Sequence, residues 1–418
     1  MKIIVAHPGK QHSFKTAEAL NKNNHLFKYI TTVYDGPKSY TALLKFILPS
    51  KLFNKVNTRK SSLLTTADII QFNEIYGLLN LILLRIPVLK KFHSLYSIFI
   101  TNEFGVKVAR YAIKHNVDAV IMYDTTSNKC WSILLDEAPH IKRILDVTIA
   151  SRLFMKENYI KDMERTGDNY FKIEQQHLWI ENNMVRYKEE FRKSEYFIVA
   201  SNVVKESLLF SGVLENKIAI IPYGVDIDKF EFKQHQKFSL PLKIIYVGEI
   251  SYRKGIHHLL KVISKFCGQN VDLYLCGDFK GSSKLFNEYK NSSNIHFLGF
   301  VTRDVLAKKY ADSDVFILPT LGEGYGLVVL EALSVGLPCI VSDLAGGNDA
   351  IIDGYNGFEF PAGDNLALKS TIQWFIDNPT KLSEMSINSR KSVLNQTWES
   401  YDLGLNDFME QVIKNEHE

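Results

Sequence analysis

The segment 315–342 holds two apolar runs separated by a glycine-rich turn and an apolar helical pattern. Val315–Leu318 has the composition of a buried strand, and Cys339–Val341 begins a second one. Between them, Gly336 and Pro338 are residues that end a helix and stop it from continuing. The segment therefore predicts a β–α–β unit, which builds a parallel sheet with its helix packed on one face.

The same alternation of strand and helix patterns runs along the whole chain. A polar, charged stretch at 228–237 without an apolar period divides it, and the strand–turn–helix pattern then starts again. The sequence therefore predicts an α/β protein with two doubly wound, Rossmann-like domains at 1–230 and 231–395, followed by a terminal helix at 396–418. The strands are expected at 3–6, 119–123, 143–147, 196–200, 218–222, 243–248, 271–277, 295–298, 315–319 and 338–342.

Composition excludes several classes of protein. The 418 residues carry a net charge of +4, which is too weak to indicate nucleic-acid binding. The four cysteines (Cys130, Cys267, Cys276 and Cys339) lack the spacing of a metal site, so we expect unpaired buried thiols and a cytoplasmic protein. No signal peptide is expected at the N-terminus, and the apolar stretch 78–89 is too short to span a bilayer.

One segment, 38–100, lacks the alternation of strands and helices that is typical of an α/β domain. It is rich in helical Leu, Ile and Phe positions, and it has nine basic residues against two acids, Asp68 and Glu74. Basic amphipathic segments attach to anionic membrane surfaces, so this helical insertion predicts a peripheral membrane contact on the cytoplasmic face. The alternative is a solvated insertion that packs only on its own domain. The basic residues are Lys38, Lys45, Lys51, Lys55, Arg59, Lys60, Arg85, Lys90 and Lys91.

Two acids flank the glycine-rich turn that follows the strand at 315–319. Glu323 lies on the turn and Glu331 in the helix that follows it. Ligands of doubly wound sheets bind at the carboxyl ends of the strands, where the N-termini of helices accept phosphate. The turn therefore predicts a site for a phosphorylated ligand. Its remaining candidate residues are Gly324, Tyr325, Gly326 and Leu327.

Glu323 and Glu331 resemble the Glu-x7-Glu signature of retaining glycosyltransferases of family 4. The resemblance is carried by 195–365 and extends to the first strand and the terminal helix, but not to 38–100. It implies the GT-B architecture, in which two Rossmann-like domains face each other across a cleft. The C-terminal domain then holds a nucleotide-sugar donor, with Glu323 on the transferred sugar and Glu331 on the ribose.

A second glycine turn, at 248–255, carries the adjacent cations Arg253 and Lys254, a pair suited to a diphosphate. In the family this turn grips the phosphates of the donor. Many relatives have an arginine directly after the first glycine, whereas this chain has Glu249, so Arg253 is expected to supply the guanidinium. Gly9, after the first strand, corresponds to the family's glycine loop near the donor phosphate and the acceptor.

Asp146 lies where many relatives carry a histidine that faces the acceptor, and it is the candidate for that position. A metal is not expected. Asp226-Ile227-Asp228 and Asp312-Ser313-Asp314 match the Asp-x-Asp pattern of a different, metal-dependent glycosyltransferase fold, but neither follows a donor loop. The cationic grip on the phosphates makes a divalent ion unnecessary, and no other cofactor is implied.

The resemblance implies transfer of a sugar from a nucleotide-sugar to a hydroxyl of a glycan or lipid-linked acceptor, in the synthesis of a cell-surface polysaccharide or glycoconjugate. Two alternatives remain open at this point. One is a GT-B nucleotide-sugar epimerase, and the other is a degenerate donor-binding subunit of a transferase complex. The sequence names neither the base, the sugar nor the acceptor.

Overall fold

The protein is described here by a computed structural model that covers residues 1–9, 11–37, 39–44, 59–61, 63–85, 90–234, 240–266, 270–279 and 283–414. Its N-terminal half forms a parallel sheet with the strand order β3-β2-β1-β4-β5-β6-β7. The strands of this sheet are β1 (Ile3–Ala6), β2 (Leu26–Thr31), β3 (Ile69–Gln71), β4 (Ala119–Tyr123), β5 (Lys142–Val147), β6 (Tyr196–Val199) and β7 (Ile218–Ile220).

The C-terminal half forms a second parallel sheet with the order β10-β9-β8-β11-β12-β13. In both sheets the chain runs outward in one direction for three strands, then returns to the first strand and continues on its other side. That reversal opens a crevice at the carboxyl end of the central strands. The strands are β8 (Leu242–Val247), β9 (Val271–Cys276), β10 (Ile295–Gly299), β11 (Val315–Leu318), β12 (Cys339–Ser342) and β13 (Gly357–Phe360).

Helices cover both faces of the two sheets, and their apolar sides form the core. The helices of the first half are α1 (Ser13–Lys22), α2 (Tyr40–Leu44), α3 (Glu74–Arg85), α4 (Lys90–His115), α5 (Asn128–Glu137), α6 (Arg152–Thr166), α7 (Tyr170–Glu174), α8 (Glu181–Lys193) and α9 (Asn202–Phe210). Those of the second half are α10 (Ile256–Ile263), α11 (Ser283–Tyr289), α12 (Arg303–Ala311), α13 (Leu327–Val335), α14 (Asn365–Asp377), α15 (Leu382–Ser392) and α16 (Trp398–Lys414).

The prediction of two Rossmann-like parallel-sheet domains is confirmed. Every strand that the sequence predicts is present, with ends that differ by one or two residues. Three strands were not predicted: β2, β3 and β13. β2 carries Lys28 within its apolar residues, and β3 has three residues inside a segment interpreted as helical. β13 has only four residues and is held by parallel pairing with β12.

The insertion at 38–100 is described only in part. Four of its predicted basic residues, Lys38, Lys45, Lys51 and Lys55, lie outside the described residues. Its two long helices, α3 and α4, pack against each other, and α3 is pressed on the end of β2, since a Cβ at Gly77 would come within 2.5 Å of Thr32 Oγ1. In the part of the chain that the structure covers, no helix is long and apolar enough to cross a bilayer.

The terminal helix α16 crosses from the second half of the chain to the first and packs on α1. The Tyr401 hydroxyl is buried 3.0 Å from Thr16 Oγ1, and the Asn406 side chain donates to the Ala19 carbonyl at 3.1 Å. At the start of this crossing a Cβ at Gly224 would come within 2.1 Å of the Trp398 nitrogen. The helix therefore ties the two domains together.

Candidate active site

The site is built from two loops that leave neighbouring strands of the second sheet. β8 and β11 pair in parallel, so the loop after β8 and the loop after β11 emerge at the same edge. The first loop leads into α10 and carries Arg253 and Lys254. The second leads into α13 and carries Glu323. Because the strands are adjacent, residues about seventy positions apart in the chain are brought together.

Glu323 is shared by both cations. Its Oε2 accepts a hydrogen bond from Lys254 Nζ and lies 3.4 Å from Arg253 Nη1, which also donates to the Gly322 carbonyl at 3.0 Å. All three side chains are less than 20% exposed. Burial works to raise the pKa of Glu323, but the charges of Lys254 and Arg253 outweigh it and lower that pKa to about 2. Glu323 is therefore a buried carboxylate at physiological pH.

Lys254 is buried more deeply than Arg253. For its pKa, unlike that of Glu323, the effect of burial outweighs the attraction of the opposite charge. Its burial and the nearby guanidinium lower the pKa of the Lys254 ammonium, and Glu323 offsets this only in part. Glu249, the residue that departs from the family pattern, lies 3.9 Å from Arg253 Nη2. Two cations and two carboxylates thus lie close together in a cleft. Interactions between charges are stronger there than in water, because less solvent screens them.

The contact between the two loops is tight because of a glycine. Gly255 has a φ of 68°, and a Cβ there would come within 1.8 Å of the Pro319 carbonyl oxygen. Only glycine allows both this left-handed backbone and this approach. Leu321 N also donates to the Arg253 carbonyl at 2.9 Å. The spacing between the cations and Glu323 is therefore fixed by the backbone.

The predicted residues of the turn take different positions. Gly326 has a φ of 60° and precedes α13, whose first residue, Leu327, is 38% exposed. The N-terminus of α13 therefore follows the Glu323 turn directly, and the first N–H groups of a helix lack partners within the helix itself. Tyr325 is buried, and its hydroxyl donates to Gln396 Oε1 at 3.1 Å, so its side chain points toward the start of α16 and away from the cations.

Glu331 lies one turn into α13 and is partly buried. Burial raises the pKa of its carboxyl, although the charge of Arg303 on α12 opposes the shift. The buried Tyr310 hydroxyl also faces this carboxyl and acts against the shift. The structure thus brings Arg253, Lys254 and Glu323 into direct contact and sets Glu331 on the helix behind them.

Gly324 lies where the N-terminal domain touches the turn. A Cβ at Gly324 would come within 1.9 Å of the Thr148 carbonyl oxygen, and Ser201 Oγ donates to the Gly324 carbonyl at 2.6 Å. Ala150 N lies 3.4 Å from the Glu323 carbonyl oxygen. The loops after β5 and β6 therefore close directly over the Glu323 turn.

Glu174, which the sequence analysis did not single out, reaches the cation loop from the N-terminal domain. Its carboxylate oxygens accept from the backbone N–H groups of Tyr252 and Arg253 at 2.7 and 2.9 Å. The ring of Tyr170, on the same short helix α7, stacks on Tyr252 at 4.0 Å. A polar helical segment gives no sequence signal for such a contact. Glu174 holds the loop that carries both cations.

Asp146 lies inside β5 and is fully buried. Its Oδ2 is 2.8 Å from His12 Nε2, while its Oδ1 is buried without a hydrogen-bond partner among the described residues. His12 Nε2 also lies 3.1 Å from the Tyr223 hydroxyl. His12 is 13% exposed and is the more accessible member of this pair. The sequence analysis missed it because its partner lies 134 residues away.

Gly9 lies in the loop after β1, and its N–H donates to His7 Nδ1 at 2.7 Å. That bond fixes His7 with its proton on Nε2 in the neutral form, and burial lowers the pKa of His7 to about 4. Gly9 and His7 line a cavity of about 690 Å³ in the N-terminal domain. The sequence analysis did not single out His7.

Among the described residues, Asp162, His257 and His258 have the ligand types and the spacing that could hold a metal ion. Here they bind one another across the two domains. His258 Nε2 lies 2.8 Å from Asp162 Oδ1 and His257 Nε2 3.1 Å from Oδ2, while Tyr170 donates to the same carboxylate. These contacts satisfy the carboxylate by hydrogen bonds and join α6 to α10.

Part of the chain is similar in sequence to known proteins. Residues 227–392 match the family model described as glycosyl transferases group 1. A capsular polysaccharide biosynthesis glycosyltransferase, CapM from Staphylococcus aureus, is 28% identical over 242 residues, which are 51% of this chain and 62% of that protein. The chain spans between half and two thirds of the length of this and other curated relatives.

Solved structures resemble the whole chain. Sucrose-phosphate synthase from Thermosynechococcus elongatus matches with a TM-score of 0.65 and 17% identity, covering 99% of this chain and 100% of that one. HepE from Anabaena, crystallised with UDP, matches with a TM-score of 0.61 and 14% identity over 98% and 100%. These likenesses confirm the predicted GT-B fold, in which the ion cluster occupies the cleft between the domains.

The ion cluster generates a prediction about anion binding. Lys254→Ala should weaken binding of a nucleoside diphosphate about tenfold or more, because a charge-assisted hydrogen bond contributes roughly 1.5–3 kcal/mol. Binding of the matching nucleoside should hardly change, since it has no phosphate. Calorimetric titration with UDP, GDP or ADP, whichever binds, and with its nucleoside measures both effects.

The matched control is Lys261→Ala, which removes an exposed lysine on the same helix, α10, and should leave both affinities unchanged. Glu331→Ala should weaken the two ligands alike, because both contain the ribose. Equal losses for the two ligands in the Lys254 variant would contradict the phosphate role of this lysine.

Proposed function

We propose that the chain is a retaining glycosyltransferase that moves a sugar from a nucleotide-sugar donor to a hydroxyl of a glycan or lipid-linked acceptor. The observation that carries the proposal is the buried cluster of Lys254, Arg253 and Glu323 in the cleft, beside the N-terminus of α13. The group 1 match over 227–392 and the capsular polysaccharide relative support a role in polysaccharide or glycoconjugate synthesis.

In this proposal the diphosphate of the donor replaces the Glu323 carboxylate as the partner of the two cations. Departure of the nucleoside diphosphate builds negative charge on its phosphates, and Lys254, Arg253 and the first N–H groups of α13 stabilise it. Glu331, partly buried on the helix that follows the Glu323 turn, holds the ribose hydroxyls. The positive charges come from side chains, so the proposal needs no metal ion.

Glu323 is released from its ion pair when the donor binds and then faces the transferred sugar. As a carboxylate it favours the positive charge that develops at the anomeric carbon. Asp146 is too deeply buried to touch an acceptor. It acts through His12, whose ring it orients by a hydrogen bond to Nε2. His12 is thus the group of that pair nearest to the acceptor.

The proposal also includes contact of 38–100 with an anionic membrane. Ile75, Leu79 and Ile82 share one face of α3, and Leu95 and Phe99 share one face of α4; all five are 44–74% exposed. Arg85 ends α3 and the pair Lys90–Lys91 begins α4, so cations adjoin this apolar face in the sequence. An exposed apolar surface with flanking positive charge suits anionic lipid headgroups.

The role of Glu323 is tested by Glu323→Gln. The exchange removes the negative charge that faces the sugar, so turnover should fall by at least about a hundredfold. Affinity for the nucleoside diphosphate should stay equal or rise, because the phosphates no longer compete with a carboxylate for Lys254 and Arg253. Nucleotide release from a panel of nucleotide-sugars, with and without acceptor, measures turnover.

Turnover within a few-fold of the unchanged chain would leave Glu323 as a structural partner of the cations only. Sugar-nucleotide isomerisation without any acceptor would instead support an epimerase. Nucleotide binding without turnover under all conditions would support a donor-binding subunit.

Membrane contact is tested by sedimentation with vesicles. The full chain should sediment with phosphatidylglycerol vesicles at low salt, leave them at high salt, and stay in solution with phosphatidylcholine vesicles, because each cation contributes about 1 kcal/mol near an anionic surface. Leu95→Ser combined with Phe99→Ser should weaken sedimentation. The control Leu403→Ser changes a leucine that is 62% exposed on α16 and should have no effect. An unchanged chain that remains in solution with the anionic vesicles contradicts the contact.

A further inference from the structure

The cavity of about 690 Å³ in the N-terminal domain is separate from the ion cluster. It is enclosed by the loop after β1, by the inner faces of α3 and α4, and by α8. Its volume lies within the ~300–1,000 Å³ that is usual for small-molecule sites. Since Gly9 and His7 form part of its wall, the cavity lies beside the residues predicted to approach the donor.

The wall of the cavity is rich in groups that bind hydroxyls. It includes Thr32, Thr101, Thr125, Asn128 and Asn183 on four different parts of the domain. Asn80 Oδ1, also in the wall, is buried and has no hydrogen-bond partner among the described residues. A buried polar atom without a partner is costly, and a ligand in the cavity would satisfy it.

The charge of the wall is positive. Two arginines, Arg59 and Arg186, line the cavity, and Glu190 is the single acid among the described wall residues. Glu190 is fully used by the protein: its two oxygens accept from Thr125 N at 2.7 Å and from Ser127 N at 2.9 Å. Burial raises the pKa of the Glu190 carboxyl.

The two cations sit on different sides of the space. Arg59 lies near His7, whose pKa its charge helps to lower after the larger effect of burial. Arg186 lies on α8 and is half-buried, and its guanidinium forms no ion pair with any residue that the structure describes. A guanidinium in a concave polar wall is a strong partner for a planar or tetrahedral anion.

We propose that this cavity binds an acceptor saccharide that carries a negatively charged group, a phosphate or a carboxylate. Arg186 binds the charged group, Arg59 adds attraction from the opposite wall, and the threonine and asparagine side chains bind hydroxyls. The inference rests on the proposed function, because it assigns the acceptor to the same transfer reaction. It makes charge on the acceptor a determinant of specificity.

The first experiment measures binding of three sugars of equal ring size: glucose, glucuronate and glucose 6-phosphate. Calorimetric titration of the full chain at low salt should give at least about tenfold tighter binding for one or both of the charged sugars than for glucose. Comparison of glucuronate with glucose 6-phosphate shows whether the cavity prefers a carboxylate or a phosphate. Equal binding of all three sugars would overturn the proposal.

The second experiment assigns the binding to the cavity. Arg186→Gln should remove the preference for the charged sugar, and Arg59→Gln should reduce it. Arg192→Gln is the matched control, since Arg192 lies on the same helix, is exposed and pairs with Glu189. Loss of the preference in Lys254→Ala but not in Arg186→Gln would locate the anion at the phosphate cluster and overturn the proposal.

Nucleotide binding separates this inference from the proposed function. Arg186→Gln should bind nucleoside diphosphate as the unchanged chain does, because Arg186 is not part of the ion cluster. If the unchanged chain binds no nucleotide while charged sugars still depend on Arg186, the proposed function fails and the cavity assignment stands. If nucleotide binds and charged sugars do not, the cavity assignment fails alone.

Discussion

The Glu323 carboxylate, shared by Lys254 and Arg253, is the interaction on which the cleft depends. It joins the loops after β8 and β11. At Gly255 these loops approach each other so closely that a Cβ atom would not fit between them. Taking two cations and an anion out of water is unfavourable unless each finds partners. The three side chains satisfy that need among themselves. In the proposed function, the diphosphate of the donor takes over the role of the carboxylate.

The N-terminal domain holds this arrangement from the other side of the cleft. Glu174 accepts from two backbone N–H groups of the cation loop, and Thr148 lies directly against Gly324. Asp162 binds His257 and His258 on α10, the helix that follows the cations. Because these contacts come from one domain and act on the other, movement of the domains would also move the groups proposed to bind the donor.

Much of the fold follows from local patterns in the sequence. Strands such as β8 and β11 are uninterrupted apolar runs bounded by glycine turns, and such runs indicate buried parallel strands whatever their neighbours are. β3 could not be found in this way, because three residues hold their place only by pairing with β2. β13 follows a turn that is typical of a hairpin, and its parallel pairing depends on β12.

The candidate site was predictable where one loop carries several marked residues, as with Arg253 and Lys254 or Glu323 and Gly326. It was not predictable where residues far apart in the chain meet. His12 and Asp146 are 134 positions apart, and Glu174 meets the cation loop 79 positions away. Glycine at 324 was expected to contact the donor, but its closest neighbour is the backbone of the other domain, a relation that only the tertiary structure contains.

A crystal structure of the chain with a bound nucleoside diphosphate tests the central claim most directly. The account predicts phosphate oxygens within hydrogen-bond distance of Lys254 Nζ and the Arg253 guanidinium, with the Glu323 carboxylate moved off Lys254 and the ribose beside Glu331. A nucleotide bound elsewhere, with the pair of Lys254 and Glu323 intact, would contradict it.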